Sequence, residues 1–169
     1  MQNRDLIFTE IIQQNHGSIY RICKAYLYDR SHADDLYQEI LLQIWKSMSN
    51  YKGNAQISTW IYRVAVNTAI SYNAQHKKNR HEELPENTDI PEEHGTGSEK
   101  EMQLILLNNA ISQLEEHDRL IISLVLENLS YKEIAEITGS NINNTGVRIA
   151  RIKARLLRIM ENKTTANEL

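Results

Sequence analysis

The sequence predicts an all-α protein made of two small helical domains joined by a flexible acidic linker, the C-terminal one a helix-turn-helix. Apolar residues recur at helical spacing in both halves, no segment shows the alternation of a convincing β-strand, and a polar acidic stretch separates the halves. With 169 residues, 41% hydrophobic and 24% charged, the chain can bury a core. We place the domains at residues 1–80 and 102–169, and the linker at residues 81–101.

Two helices are strongly predicted in the first domain. One carries Leu36, Ile40 and Ile44 at helical spacing, with Asp34 and Asp35 in its first turn, where the helix dipole favours acidic side chains. A glycine at position 53 then breaks the pattern, and a second helix follows over about residues 57–78.

The second domain is predicted to contain four helices, at residues 102–114, 119–126, 130–138 and 142–160. The third begins with Ser130 and Glu133, which have the spacing of a capping box. Small Ala135 permits close helix crossing, and Gly139 supplies the turn into the last helix. This pattern is typical of a helix-turn-helix.

The last predicted helix carries an apolar stripe and a basic stripe side by side. The apolar stripe consists of Ile149, Ile152, Leu156 and Ile159, and the basic stripe of Arg148, Arg151, Arg155 and Arg158. With Lys153, residues 142–160 hold five positive charges and no acid. The alternative is an amphipathic hairpin with a solvated basic face. The capping box, the turn glycine and the basic stripe together favour a helix that enters a DNA major groove.

The net charge of −3 conceals how the charges are distributed. Residues 1–80 carry 10 Lys and Arg against 6 Asp and Glu, whereas residues 81–101 carry one Lys against 8 acids. Residues 102–169 are neutral, with 8 of each sign. The acidic linker therefore masks a basic first half, and the whole-chain charge does not exclude a nucleic-acid ligand.

A group of polar residues occupies the loop between the two helices of the first domain. It continues along the second of these helices. The loop from Asn50 to Thr59 is polar, and beyond it Arg63, Asn67 and Ser71 fall on one helical stripe. Amides, cations and nearby aromatic rings suit single-stranded bases, which need stacking faces, donors and charge. Trp60 lies on the apolar face, so we expect it in the core.

Other classes of protein find less support. No apolar run approaches the roughly 20 residues of a membrane span, and the first residues lack a signal-peptide core. The lone Cys23 cannot form an internal disulfide, and we expect it to be a small buried hydrophobe. We find no nucleophile elbow, phosphate loop or zinc motif. We expect a soluble cytoplasmic protein that binds no cofactor and is not itself an enzyme.

Several segments of the chain resemble a known family. Asp34-Asp35-Leu36-Tyr37-Gln38-Glu39, Ile44-Trp45 and the run from Ser58 to Asn67 are similar to the second conserved region of bacterial RNA polymerase sigma factors. The segment from Arg119 to Leu157 is similar to the fourth region. The short length resembles the extracytoplasmic-function (ECF) group of the sigma-70 family. One departure is Thr145-Gly146, where the family usually has an apolar residue followed by a polar or basic one.

The resemblance implies three sets of contact residues. Docking on the clamp helices of the polymerase β′ subunit would use Asp35, Gln38, Glu39, Leu42 and Trp45. Binding to the −10 promoter element would use Tyr51, Lys52, Asn54, Ser58, Thr59, Arg63, Asn67 and Ser71. Binding to the −35 element would use Asn144, Val147, Arg148, Arg151, Lys153, Arg155 and Arg158.

The implied partners are core RNA polymerase, through its β′ clamp helices and β subunit, promoter DNA, and an anti-sigma factor that controls activity. Two alternatives remain open. One is a helix-turn-helix repressor or activator that does not bind the polymerase core. The other is a helical hydrolase with a metal on His32, Asp34, Asp35 and Glu39, for which a polar helix start is the favoured explanation.

Overall fold

The computed structural model describes residues 2–27, 30–79 and 99–167, and in these ranges it contains seven α-helices and no β-strand. The N-terminal unit consists of α1 (Gln2–Tyr26), α2 (Ala33–Ser47) and α3 (Ile57–Asn79). Short 3-10 turns at Arg30–His32 and Met48–Asn50 flank α2. The C-terminal unit consists of α4 (Glu99–Ser112), α5 (Glu116–Leu126), α6 (Tyr131–Thr138) and α7 (Ile142–Asn167). The predicted all-α class is confirmed.

The first helix of the C-terminal unit begins earlier than the sequence pattern predicts. Helix α4 begins at Glu99, three residues before the predicted start, and carries Glu99 and Glu101 in its first turn. Acidic side chains at a helix N-terminus interact favourably with the helix dipole. The acids at positions 99 and 101 therefore belong to a helix start, and the earlier part of the predicted linker lies outside the described residues.

Helix α1 was not singled out by the sequence pattern. It is polar along most of its 25 residues and buries its second half through Ile19, Ile22, Cys23 and Tyr26. Cys23 is fully buried, as predicted, and burial raises the pKa of its thiol to about 12. None of the described helices is long and apolar enough to cross a membrane.

The two units share one apolar core. Helix α1 packs against α2, α3 and α5, and α3 packs against both α2 and α6. The buried side chains of Leu36, Ile40 and Ile44 on α2 belong to the same cluster as Leu120 and Leu124 on α5. The halves that the sequence separates by a linker therefore contact each other directly. We call this packing of α1 on α5 and of α3 on α6 the closed arrangement.

The helix-turn-helix forms where it was predicted. Ser130 Oγ accepts a 3.2 Å hydrogen bond from the backbone N–H of Glu133, and the Glu133 carboxylate accepts one of 2.8 Å from the N–H of Ser130. Gly139 ends α6 at φ 68°, a left-handed conformation that costs a side-chain-bearing residue energy. Capping at both ends fixes the short α6 and so sets the direction in which α7 leaves the turn.

Candidate nucleic-acid interface

The outward face of α2 carries the residues predicted to dock on polymerase. Asp35, Gln38 and Leu42 are exposed, and the opposite face buries Leu36 and Ile40 in the core. Glu39 is half-buried, and its carboxylate accepts a 2.8 Å hydrogen bond from the amide of Gln43. This face therefore combines two acids, an amide and an exposed leucine.

Trp45 completes the α2 face and is held by α1. Its ring meets Phe8 edge-on at 5.1 Å between centroids, and the Arg4 guanidinium lies 4.6 Å from the ring centre. Arg4 also donates a 2.7 Å hydrogen bond to the Trp45 carbonyl. The contacts of Arg4 and Phe8 with Trp45 were not predicted, because the sequence pattern does not show which side chains of α1 reach α2.

The loop at residues 51–56 is closed by an aromatic pair. The Tyr51 hydroxyl donates a 2.6 Å hydrogen bond to the Ala55 carbonyl, and its ring lies 5.2 Å from the Trp60 ring. Trp60 is half-buried and packs against the core, in line with its predicted place. Lys52 and Asn54 are exposed, so the loop holds a cation and an amide beside two rings.

The predicted stripe on α3 is exposed along its length. Arg63, Asn67 and Ser71 are all exposed, four residues apart on one face of the helix. Ser58 is half-buried, whereas Thr59 is only 4% exposed and its hydroxyl lies 3.5 Å from the Glu133 carboxylate of α6. All three members of the stripe can reach a ligand directly, whereas Thr59, which precedes the stripe, is covered in the closed arrangement.

Helix α7 buries its apolar stripe and presents its basic one. Ile149, Ile152 and Leu156 are buried and Ile159 is half-buried, as predicted. The outward side chains predicted to contact the −35 element are all exposed: Asn144, Val147, Arg148, Arg151, Lys153, Arg155 and Arg158. Asn141 caps the helix, because its Oδ1 accepts a 2.8 Å hydrogen bond from the N–H of Asn144. A continuous, capped, cationic helix faces outward.

The structure explains the departure at Thr145-Gly146. Thr145 extends the inward stripe one turn towards the N-terminus of α7 and is 3% exposed, and its hydroxyl has no hydrogen-bond partner in the described part of the chain. A Cβ built on Gly146 would lie 3.6 Å from the Tyr131 ring, which is ordinary van der Waals contact. The glycine does not interrupt α7, which is helical from Ile142.

The start of α7 lines a cleft that faces α3. Its walls are formed by Ile70, His117, Leu120, Ile121, Thr138, Ser140, Asn144, Thr145 and Arg148. Arg148 donates a 2.9 Å hydrogen bond from Nε to the Asp118 carboxylate. Two predicted −35 contacts, Asn144 and Arg148, therefore line a cleft to which α3 contributes Ile70.

A carboxylate of the C-terminal unit is bound by the N-terminal unit. Glu127, at the end of α5, accepts hydrogen bonds from Ser18 at 2.7 Å and from Arg21 Nη2 at 2.9 Å, and Arg21 Nε contacts its other oxygen. The Tyr62 hydroxyl lies 3.4 Å away. The hydrogen bond from Arg21 holds the pKa of Glu127 below its ordinary value, although partial burial opposes the shift.

The proposed hydrolase site does not come together. Asp34 accepts a 3.0 Å hydrogen bond from the Tyr20 hydroxyl, and the ring of His32 lies 5.6 Å from that of His76. Within residues 2–27, 30–79 and 99–167, no group of three or more His, Cys, Asp or Glu side chains could hold a metal ion.

Two family models match the chain, one in each unit. Residues 11–79 match the family model of Sigma-70 region 2, and residues 104–156 match that of Sigma-70, region 4. The chain is 30% identical over 138 residues to RNA polymerase sigma factor SigZ of Bacillus subtilis, covering 79% of this chain and 75% of SigZ. It is 29% identical to the ECF RNA polymerase sigma-E factor of Haemophilus influenzae, covering 92% of this chain and 86% of that protein.

The fold is also found among solved structures. The sigma factor RpoE of Bartonella quintana, crystallised in complex with the anti-sigma factor NepR, superposes with a TM-score of 0.74. The alignment covers 91% of this chain and 96% of that one, at 18% identity. Sequence and fold thus agree on both conserved regions in the same order. This chain belongs to the sigma-70 family of RNA polymerase sigma factors, in its ECF group.

Proposed function

We propose that the chain directs core RNA polymerase to a set of promoters through three surfaces, one on α2, one on α3 with the preceding loop, and one on α7. The observation that carries the proposal is the distribution of apolar and basic residues around α7. Its apolar stripe is buried while Arg151, Lys153, Arg155 and Arg158 are exposed, and residues 142–160 contain no acid. A helix of this kind suits a major groove about 12 Å wide, with cations placed along the phosphates.

The α3 surface suits the melted strand of the −10 element. The Tyr51–Trp60 pair and the adjacent Lys52 and Asn54 supply rings, a charge and an amide at the loop. Arg63, Asn67 and Ser71 continue from the loop as a track along the helix. Flipped bases gain about 1–3 kcal/mol each from stacking on aromatic side chains. We assign the −10 role to the loop and the start of α3.

The α2 surface suits polymerase docking. Leu42 and Trp45 supply apolar area, and Asp35, Gln38 and Glu39 supply polar contacts around it. An apolar centre with a polar rim is the usual composition of a protein–protein interface. In this role the chain confers specificity on an enzyme, the polymerase, and acts in the cytoplasm, where polymerase and DNA are found.

An anti-sigma factor completes the proposal. RpoE of Bartonella quintana is bound by NepR in a fold similar to this one. By analogy, we propose that a protein partner sequesters this chain until a signal releases it.

Two experiments test the function. In the first, the purified chain is mixed with core RNA polymerase of the same bacterium. In the second, transcript 5′ ends are mapped in cells that overexpress the chain. We expect the chain to co-elute with core polymerase and to produce a set of new 5′ ends that share −10 and −35 sequences. A helix-turn-helix repressor would bind DNA but would not co-elute with core. Failure to co-elute would therefore refute the proposal in favour of that alternative.

A further inference from the structure

The cleft at the start of α7 has an apolar lining and a polar lining. Its volume is about 260 Å³, slightly below the roughly 300–1,000 Å³ of typical ligand pockets, so only a small molecule fits. Ile70 of α3 and Leu120 and Ile121 of α5 supply apolar side chains. The segment at residues 138–148 supplies polar ones, among them Ser140, Asn144, Thr145 and Arg148. An apolar cleft with a few polar groups is the usual form of a small-molecule site.

Thr145 brings a buried, unpartnered hydroxyl to this cleft. The residue is 3% exposed, and its Oγ1 has no hydrogen-bond partner in the part of the chain that the structure describes. A helical threonine commonly satisfies its hydroxyl on the carbonyl one turn earlier, as Thr138 does with Ile134 at 2.7 Å. Burial of an unpartnered hydroxyl costs folding free energy. The Thr145 hydroxyl is therefore a polar group that a ligand in the cleft would satisfy.

The charges around the cleft favour an anion. Arg148 lines the cleft and donates to Asp118 through Nε, a bond that does not use the Nη donors of the guanidinium. Among the described residues that line the cleft, none is an acid. Ser140 and Asn144 lie at the N-terminal end of the 26-residue α7, where the helix dipole stabilises negative charge. Hydroxyl, guanidinium and helix terminus thus meet in one place.

We propose that this cleft binds a small molecule with an anionic head, a carboxylate or a phosphate, on a compact apolar body. The head contacts the Arg148 guanidinium and the Thr145 hydroxyl, and the body packs against Leu120 and Ile121. Asn144 and Arg148 also belong to the proposed −35 surface, so an occupied cleft competes with promoter DNA. This competition rests on the proposed function, whereas the binding of the small molecule does not.

Binding is tested by titration of the full ¹⁵N-labelled chain with phenyl phosphate and with phenylacetate, followed by two-dimensional NMR. A ligand of this size should bind with a dissociation constant of about 1 mM or below. We expect saturable shifts at the amides of Ser140, Thr145 and Gly146. Inorganic phosphate, which lacks the body, and benzyl alcohol, which lacks the charge, should each bind about tenfold more weakly. The tighter of the two aromatic anions identifies the preferred head.

Four variants separate the cleft from general attraction to a basic helix. Arg148→Gln should weaken binding of the aromatic anion about tenfold, and Thr145→Val, which keeps the side-chain volume, about threefold. Arg155→Gln loses the same charge at an exposed position of α7 outside the cleft, and Thr68→Val loses a hydroxyl on α3 that bonds the Val64 carbonyl. Both controls should bind as wild type does. Circular dichroism checks that each variant keeps its helices.

The competition is measured by fluorescence anisotropy with a duplex of about 30 base pairs at constant ionic strength. Phenyl phosphate should weaken duplex binding by the wild-type chain and weaken it less in Thr145→Val. Binding in the cleft with no effect on the duplex would support the site and contradict the −35 role of Asn144 and Arg148.

Two results would overturn the proposed site. One is the absence of saturable shifts at concentrations well above the expected dissociation constant. The other is an equal loss of binding in Arg155→Gln and Arg148→Gln, which would mean that the anion associates with the whole basic stripe. The NMR titration contains neither DNA nor polymerase, so its failure is distinct from a failure of the proposed function.

Discussion

Arg148 of α7 donates a 2.9 Å hydrogen bond from Nε to Oδ1 of Asp118 in the first turn of α5. The arginine side chain is 44% exposed and the aspartate 17%. A partly exposed pair of this kind contributes about 0.2–1 kcal/mol to folding. Its main consequence is for binding, because Asp118 places a negative charge beside a cation that the −35 surface would use.

Asp118→Asn should therefore strengthen DNA binding with little effect on stability. The change frees the Arg148 guanidinium and removes one repulsive charge, so the dependence of log affinity on log salt should steepen by up to about 0.9. Anisotropy titrations of a random duplex over a salt series measure both quantities. Glu10→Gln, at an exposed position on α1, is the matched control for net charge. Identical behaviour of the two variants would show that Asp118 does not restrain Arg148.

The α2 surface gives a prediction about polymerase. Gln38 and Glu39 lie outside the buried stripe of α2, so changing both to Ala should leave the fold intact and weaken binding to core polymerase. The double change Gln13→Ala with Gln14→Ala, at exposed positions on α1, serves as the control. Binding is measured by surface-immobilised core polymerase titrated with each variant. Wild-type affinity of the Gln38 and Glu39 variant would remove this face from the docking surface.

Base reading and backbone positioning should separate along α7. Arg151 lies one turn beyond Val147, whereas Arg158 lies near the far end of the basic stripe, and both are exposed. Arg151→Ala should cost about 1–3 kcal/mol on the cognate −35 duplex and little on a scrambled one. Arg158→Ala should weaken binding to both duplexes and lower the salt slope by about 0.9. Equal losses on both duplexes for Arg151→Ala would exclude it as a base reader.

Two glycines of the helix-turn-helix should respond oppositely to the same change. Gly146→Ala should stabilise the protein by up to about 1 kcal/mol, because alanine has the higher helix propensity and the new Cβ meets Tyr131 at an ordinary 3.6 Å. Gly139→Ala should destabilise it by about 1–2 kcal/mol, because residue 139 has a φ of 68°. Urea denaturation followed by circular dichroism measures both. A destabilised Gly146→Ala variant would mean that Tyr131 cannot accommodate the methyl group.

Local signals predicted most of the architecture. The apolar stripe of α2, the capping box at Ser130 and the turn at Gly139 depend on residues within one or two helical turns, and each is present as expected. The exposed stripe of α3 and the two stripes of α7 follow from helical periodicity in the same way. Local patterns determine which face of a helix is apolar, whereas the contact roles of the exposed residues are implied by the family resemblance.

Contacts between distant segments could not be predicted. The hydrogen bonds to Glu127 join positions 106 and 109 residues apart, and no pattern in a single sequence pairs Glu127 with Arg21 or Ser18. Helix α1 was not predicted because polar residues dominate its length, although it packs against α2, α3 and α5. Thr145 departs from the usual family pattern, and its place in the core was not predicted. These features depend on tertiary packing, which overrides local preference.

The central claim is that the chain gives core RNA polymerase a promoter specificity that core lacks. The most direct measurement is transcription in vitro by purified core polymerase on a linear template that spans one of the 5′ ends mapped after overexpression. Core alone should give no transcript from that start, and core with the wild-type chain should give one of defined length. If the chain binds the template but no transcript appears from that start with core, the account is contradicted.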